Sequence, residues 1–437
     1  MTKIKVDFLK TVGKIKPMHA VNNGPMKKRA EQCRSNFESF KSAKIPYVRN
    51  HDASFLASYG GEHTVDVHAI FPDFNANPYD ESSYDFQLTD EYTQTIVNSG
   101  AEVFYRLGSK IEHWSKQYGT VVPADFKKWA VICEHIIRHY TEGWANGFHH
   151  KITYWEIWNE ADGIALNGAQ PNWTGTPEEY YELYVTAAAH LKKRFPHLKI
   201  GGPALSWVEH TEWVEGFLSA IKNAEEDVPL DFFSWHEYSC DVAKFSRYAM
   251  IIRETLDRFG FTDTESILNE YNYVENWTDK FVSSILAIIS ERGAAFFASI
   301  MLKFQKLPVD MLMYYDARPC TFNGLFDFYT LKPLKSYYAL TMFSQLYEME
   351  NEVYSQSDDE DVYVCAAADG ENRAIMISYY TAERTEGEKE IVLDINGDDC
   401  RTGYLIDKDN TMTELKLDVV DGKIKVVLKA DSVMLIK

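Results

Sequence analysis

Two stretches of this sequence run an apolar strand directly into Asn-Glu: Tyr154-Trp155-Glu156-Ile157-Trp158-Asn159-Glu160, and later Ile267-Leu268-Asn269-Glu270-Tyr271-Asn272. A carboxylate carried past the end of a hydrophobic strand adds nothing to core packing. One such residue is ordinarily solvated or salt-bridged. Two on matching elements, far apart in the chain, form a pair able to face a single substrate. Paired carboxylates cleave glycosidic bonds, one acting as acid and the other as nucleophile or as base toward water. Residue type alone leaves open which of Glu160 and Glu270 takes which part. It also leaves open the stereochemical course, which follows from a separation of about 5–5.5 Å (retaining) or roughly 6.5–9.5 Å (inverting).

Further polar residues close other strand-like runs. Ser234-Trp235-His236-Glu237-Tyr238 precedes the Glu270 segment. Either His236 or Tyr238 can donate a hydrogen bond to Glu270, which would hold that carboxylate ionised; a satisfied core histidine is the lesser alternative for His236. In Arg49-Asn50-His51-Asp52, Arg49 either lowers the pKa of a nearby carboxylate or forms an ordinary barrel ion pair, with His51 beside it. Asn159, just before Glu160, is placed to reach a sugar 2-hydroxyl. Competing chemistries find no support. There is no HExxH and no GxSxG, and His149-His150 are not at the i,i+4 spacing that shares a helix face. No clustered Asp/Glu/His set is legible, and Cys240 lacks an activating partner. Neither metal nor cofactor is expected.

The elements that would position these residues alternate. Strand candidates are Lys14–Ala20, Pro46–Asn50, Ala101–Leu107, Ile152–Asn159, Lys199–Pro203, Asp231–His236, Ser266–Glu270 and Val309–Tyr315. Between them, Phe126, Trp129, Cys133, Ile137 and Tyr140 recur at helical spacing, as do Tyr180, Leu183, Ala187, Leu191 and Phe195. The second of these helices opens with Thr176-Pro177-Glu178-Glu179, a capping box with Pro at the first helical position. Eight strands alternating with helices, without a Gly-rich phosphate loop, predict an α/β fold: a closed (β/α)₈ TIM barrel over residues 10–345. The long loop from His51 to Asp90, with its alternating Thr64–Ile70 piece, is expected to wall the pocket at the strands' carboxyl ends. After a helix near Leu334–Tyr347 the pattern changes to period two. Asp361–Ala368, Arg373–Tyr380, Lys389–Ile395, Thr402–Asp407, Lys423–Lys429 and Ser432–Ile436 predict a small antiparallel β-sandwich over 346–437, joined by strand 1–9.

Composition narrows the partners. The 437 residues carry a formal net charge of −20 with no basic block, which disfavours nucleic acid and acidic membranes. No run reaches the ~18 apolar residues of a membrane span, and the N-terminus lacks the apolar stretch of a signal peptide. With six scattered cysteines read as free thiols, a cytoplasmic location is expected. Ten Trp and 27 Tyr exceed ordinary usage, which fits either sugar-stacking surfaces or a large core. A neutral oligosaccharide or small glycoside is the expected partner, and homo-oligomerisation is left open.

These motifs resemble the clan of (β/α)₈ glycoside hydrolases with catalytic Glu on strands four and seven, and within it family 39, the β-xylosidase and α-L-iduronidase family. The likeness rests on Trp155–Glu160, Asn269-Glu270-Tyr271-Asn272, His236-x-Tyr238, the Asp66 to Val103 region, which in the family runs a hairpin and helix, and Lys332–Tyr338. It spans nearly the whole chain. The resemblance implies that Glu160 is the acid/base and Glu270 the nucleophile of an exo-acting, retaining enzyme. Departures occur at Met313-Tyr314-Tyr315-Asp316, where such enzymes place a Trp under the sugar, and at Ala161, where they place Pro. Arg49-Asn50-His51 matches only in part, and Arg318 is placed to read a carboxylate or extra hydroxyls. Xylose is therefore the first expectation, then arabinose or a uronic acid. A catalytically silent carbohydrate-binding protein, or an aldolase or metal-dependent hydrolase on the same barrel, are the competing readings.

Overall fold

A computed structural model describes residues 1–28, 30–53, 59, 61–164, 168–370, 372–396 and 400–437. Eight parallel strands close into a barrel, here numbered one to eight: Ala20–Asn22, Tyr47–Arg49, Glu102–Leu107, Tyr154–Ile157, Lys199–Leu205, Phe232–Tyr238, Glu265–Asn272 and Met311–Tyr314. Closure is made by Ala20 pairing with Met313 and Val21 with Tyr314. Strand one is a correction. It begins where the expected Lys14–Ala20 run ends, because Lys14 terminates a strand of the other sheet, Thr2–Lys14. Three fully buried residues carry no alternation by which such a strand can be read.

The helices form as their periodicity predicts. Phe126–Thr141 buries Trp129, Cys133, Ile137 and Tyr140 against the barrel, and Asp125 caps it by accepting from the Lys128 amide at 3.0 Å. Pro177–Arg194 opens with the full capping box, Glu179 N to Thr176 Oγ1 at 3.2 Å and Thr176 N to Glu179 Oε2 at 2.7 Å. Inside the barrel, Ala20, Phe104, Tyr154, Phe232, Ile267, Met311 and Met313 form a buried hydrophobic plug. Above it lies a polar layer that carries the site.

The other ten strands share one sheet, in the order Thr411–Lys416, Thr402–Ile406, Ser432–Ile436, Arg373–Tyr379, Val362–Ala368, Asn351–Ser357, Thr2–Lys14, Glu388–Asn396, Lys423–Lys429, Val419–Val420. Neighbours are antiparallel except Thr2–Lys14 with Glu388–Asn396, which are parallel. The sheet curls over a single core that brings Ile4, Ile377, Ile391, Leu417 and Ile436 together, so the expected sandwich is one continuous hydrogen-bonded sheet. The barrel's helix Glu291–Phe304 docks on it through buried Arg292, whose guanidinium reaches Asp431 (2.9 Å) and the Ala382 carbonyl (2.7 Å). Among the described residues no single helix is long and apolar enough to cross a membrane. Only the pair Phe281–Ile288 and Glu291–Phe304 reaches that length, across a 79° bend.

Candidate active site

Strand four ends at Ile157, and the chain then turns sharply. Trp158 extends the barrel ladder by donating to the Leu107 carbonyl (2.7 Å), and Glu160 donates to the Ala204 carbonyl on strand five (3.0 Å). Both residues have positive φ, 74° and 51°, a strained geometry that aims the Glu160 side chain into the barrel mouth. The turn is wedged by the buried Trp158 ring. Gly108 gives it room: its φ is +115°, and a Cβ there would lie 2.9 Å from the indole. The same indole donates to the Asn172 carbonyl (2.8 Å), and Asn172 Nδ2 donates to Glu160 Oε2 (3.1 Å).

Glu270 lies within strand seven. Tyr238 donates to its Oε1 at 2.6 Å, and Arg49 donates to its Oε2 at 3.2 Å. Tyr238 is therefore a hydrogen-bond partner of Glu270, as one of the two sequence alternatives had it. His236 behaves differently. A register shift in strand six sets it opposite Glu270, yet its Nδ1 contacts Glu160 Oε1 at 2.7 Å and lies 3.7 Å from Glu270 Oε2. Oxygens of Glu160 and Glu270 and a nitrogen of His236 all lie within 4.8 Å of one another.

Arg49 is the hub of the polar layer. Beyond Glu270 it donates to Glu156 Oε2 (2.7 Å), Asn159 Oδ1 (2.6 Å) and Asn22 Oδ1 (3.1 Å), and Asn269 donates to the far oxygen of Glu156 (2.6 Å). Arg49, Glu156, Asn22 and Asn269 are fully buried, so Arg49 is both the barrel ion pair and the cation beside a site carboxylate. Asn159 has its oxygen committed to Arg49. The electrostatics of the two Glu share a leading cause, burial, and differ in the groups that oppose it. Burial pushes Glu160 up to about 7, opposed by Arg49 and the Asn172 amide. Burial also raises Glu270, with His236 opposing, the Glu160 charge reinforcing, and Arg49 and Tyr238 opposing again. Burial lowers the His236 pKa, favouring a neutral ring.

A second charged cluster flanks the pair. Asp52 meets Lys110 (3.0 Å) and Arg318 (3.1 Å), and Arg318 also donates to Asp316 (2.7 Å), Glu62 (3.3 Å) and the Tyr315 hydroxyl (3.1 Å). Tyr315 in turn donates to Asp52 (3.1 Å). His51 belongs to this cluster: its Nδ1 and its carbonyl accept from Arg106 at 3.2 and 2.7 Å, and neither Glu160 nor Glu270 touches it. The loop after strand two thus faces strand eight at Asp52 and Glu62, while residues 54–58 and 60 of the expected wall lie outside the described residues. The expected hairpin from Asp66 onward is absent. Val67–Ile70 and Gln87–Asn98 are helices, and Asp66 is buried against Arg106. Folding also gathers His63, Asp66 and His68, a set invisible in the linear sequence, with one Asp66 oxygen already taken by Arg106 and the Lys110 amide. Cys240 is a half-buried thiol whose pKa burial raises.

Sequence reasoning missed three members of the site. Glu156 and Asn22 sit on short strands buried at every residue, so no alternation marks them; a polar residue inside an apolar run is the local signal they offer. Asn172 sits in an irregular loop with no periodic signal.

The profile described as "Glycosyl hydrolases family 39" matches residues 2–401. Among curated proteins the chain is 27% identical over 173 residues to a β-xylosidase of Caldicellulosiruptor saccharolyticus, covering 37% of this chain and 32% of that protein. It is 33% identical over 119 residues to a β-xylosidase of Geobacillus stearothermophilus, covering 27% and 21%. The matched stretches therefore span less than a third of either relative's length. Among solved structures, a glucosidase from Croceicoccus marinus superposes with TM-score 0.80 at 23% identity, covering 100% of this chain and 98% of that one. With the profile running over the barrel and five of the ten strands of the second sheet, the chain belongs to glycosyl hydrolase family 39.

Proposed function

We propose that the chain is a retaining, exo-acting glycoside hydrolase in which Glu270 is the nucleophile and Glu160 the acid/base. The observation that carries this reading is the approach of the two carboxylates: oxygens within 4.8 Å of each other fit the about 5–5.5 Å separation of retaining enzymes and fall short of the roughly 6.5–9.5 Å of inverting ones. The assignment of roles is supported by the partners. Glu270 has a guanidinium and a phenol aimed at it, which favour its charged form. Glu160 has no direct cationic contact from Arg49, and at about 7 it can hold a proton at neutral pH and also release one.

In the first step a Glu270 oxygen attacks the anomeric carbon, the bond to the leaving oxygen breaks, and the Glu160 proton passes to that oxygen. The result is a glycosyl ester on Glu270. Esterification removes one of two facing negative charges, so the Glu160 carboxyl becomes more acidic and remains ionised. It then takes a proton from water as the water oxygen attacks the same carbon and releases Glu270. Arg49 and Tyr238 hold the carboxylate before and after.

Both curated relatives are named β-xylosidases, so β-xylose is the first sugar to test. Arg318 has its donors on Asp316, Glu62, Asp52 and Tyr315, which weighs against a uronic acid. The test is hydrolysis of a nitrophenyl panel (β-xyloside, α- and β-arabinosides, β-glucoside, β-galactoside and uronides), with Glu270→Ala as blank. Activity on one sugar that vanishes in the blank is expected, and the first-formed product should keep the substrate's anomeric configuration by NMR. Undiminished activity in Glu270→Ala, or an inverted product, overturns the reading.

A further inference from the structure

Three of the ten tryptophans, Trp114, Trp207 and Trp277, are half exposed or more, at 76%, 53% and 50%. Each lies in a loop that follows a barrel strand: three, five and seven. All three therefore stand on the face that holds Glu160 and Glu270. An indole left in water forgoes hydrophobic stabilisation that burial would supply, so three on one rim are not explained by packing.

Trp207 is the one tied to Glu160. Asp162, two residues beyond Glu160, is buried and accepts from the Ser206 amide (2.9 Å), the Ser206 hydroxyl (3.0 Å) and the Trp207 amide (3.0 Å). With Glu160 N bonded to the Ala204 carbonyl, the loops after strands four and five are stapled into one unit. The indole itself is held in place. Its Nε1 donates to Glu209 at 3.3 Å, and its ring lies 5.4 Å from that of His210. The polar edge is thereby occupied, and the ring face is what remains to offer. Trp277 belongs to the opposite side: it packs 5.2 Å from Tyr238, the partner of Glu270.

An acid that protonates the leaving oxygen has the leaving group on its own side. We infer that Trp207 is the stacking platform for the leaving-group sugar, so that the substrate class is an oligosaccharide with a pyranose beyond the scissile bond. The inference rests on the reading of Glu160 as the acid. It assigns Trp207 a contact with the departing ring only, and none with the ring attached to Glu270.

The contact can be isolated by a leaving group that has no ring. Trp207→Ala is compared with wild type on the disaccharide and the glycosyl fluoride of the sugar selected by the nitrophenyl panel, in the first instance β-1,4-xylobiose and β-xylosyl fluoride. Loss of one aromatic stack should lower kcat/KM on the disaccharide about five- to tenfold. The fluoride should be cleaved as by wild type, and Trp207→Phe should restore most of the disaccharide rate. An equal loss on both substrates, or none on the disaccharide, overturns the platform while leaving the glycosidase reading intact. A wild-type chain that cleaves no member of the panel overturns that reading itself, and this inference with it.

Discussion

Replacing Tyr238 by Phe removes one hydroxyl and keeps the ring that packs against Trp277, Phe322 and Tyr315, 5.2, 5.8 and 6.3 Å away. The bond lost is the 2.6 Å donation to Glu270 Oε1. Hydrogen bonds to charged groups contribute about 1.5–3 kcal/mol. Nearly all of that favours the ionised form, so its loss raises the Glu270 pKa by about 1–2 pH units at ~1.36 kcal/mol each. A nucleophile must be ionised, so the acid limb of the kcat/KM profile moves to higher pH. Glu160, at about 7, is the proposed acid, and on that assignment its protonation sets the alkaline limb, which stays in place. The bell narrows from its acid side and its maximum falls, to about a third of the full value where the two limbs coincide. The two apparent values belong to the coupled pair, so the change is read as a movement of limbs between enzymes. The assay is kcat/KM on the preferred nitrophenyl glycoside from about pH 4 to 9, with thermal unfolding to verify that the ring still packs. An acid limb that does not move, or an alkaline limb that moves instead, refutes the assignment of Glu270 as the residue Tyr238 holds ionised.

Glu160→Ala should still form the intermediate from aryl glycosides with good leaving groups, lose the alkaline limb, and regain turnover with azide; no rescue by azide counts against an acid/base role. Arg49→Met leaves Glu156 and Glu270 without their shared cation in a fully buried layer, and breaking such a pair costs about 3–5 kcal/mol. A urea midpoint unchanged in Arg49→Met would refute the hub. Arg49→Lys should recover only part of the loss, since an ammonium cannot present the fork that reaches Glu156, Asn159, Asn22 and Glu270 together.

Some of this molecule is written locally and therefore legible. The helices Phe126–Thr141 and Pro177–Arg194 announce themselves by periodicity and caps, and seven barrel strands by apolar runs ending in polar residues. In the second sheet, Lys423–Lys429 alternates buried and exposed at every residue and reads directly as a strand. Thr411–Lys416 does not: it is an edge strand with no buried residue, so it carries no period-two signal and was missed. Asn351–Ser357 was missed for a related reason, since its burial breaks step along its length.

The sequence by itself determined a pair of carboxylates, Glu160 just past strand four and Glu270 on strand seven, with Arg49, His236 and Tyr238 on other strands. That much depends only on residue type and on local patterning. Tertiary structure alone decided who meets whom. Barrel closure and a register shift in strand six turned His236 toward Glu160 and left Tyr238 on Glu270. A wedged indole drew Asn172 out of an irregular loop onto Glu160, and His51 went to Arg106 in the neighbouring cluster. These contacts join residues 12 to 76 positions apart on different elements of the ring, and no periodicity along the chain encodes the ring's registration.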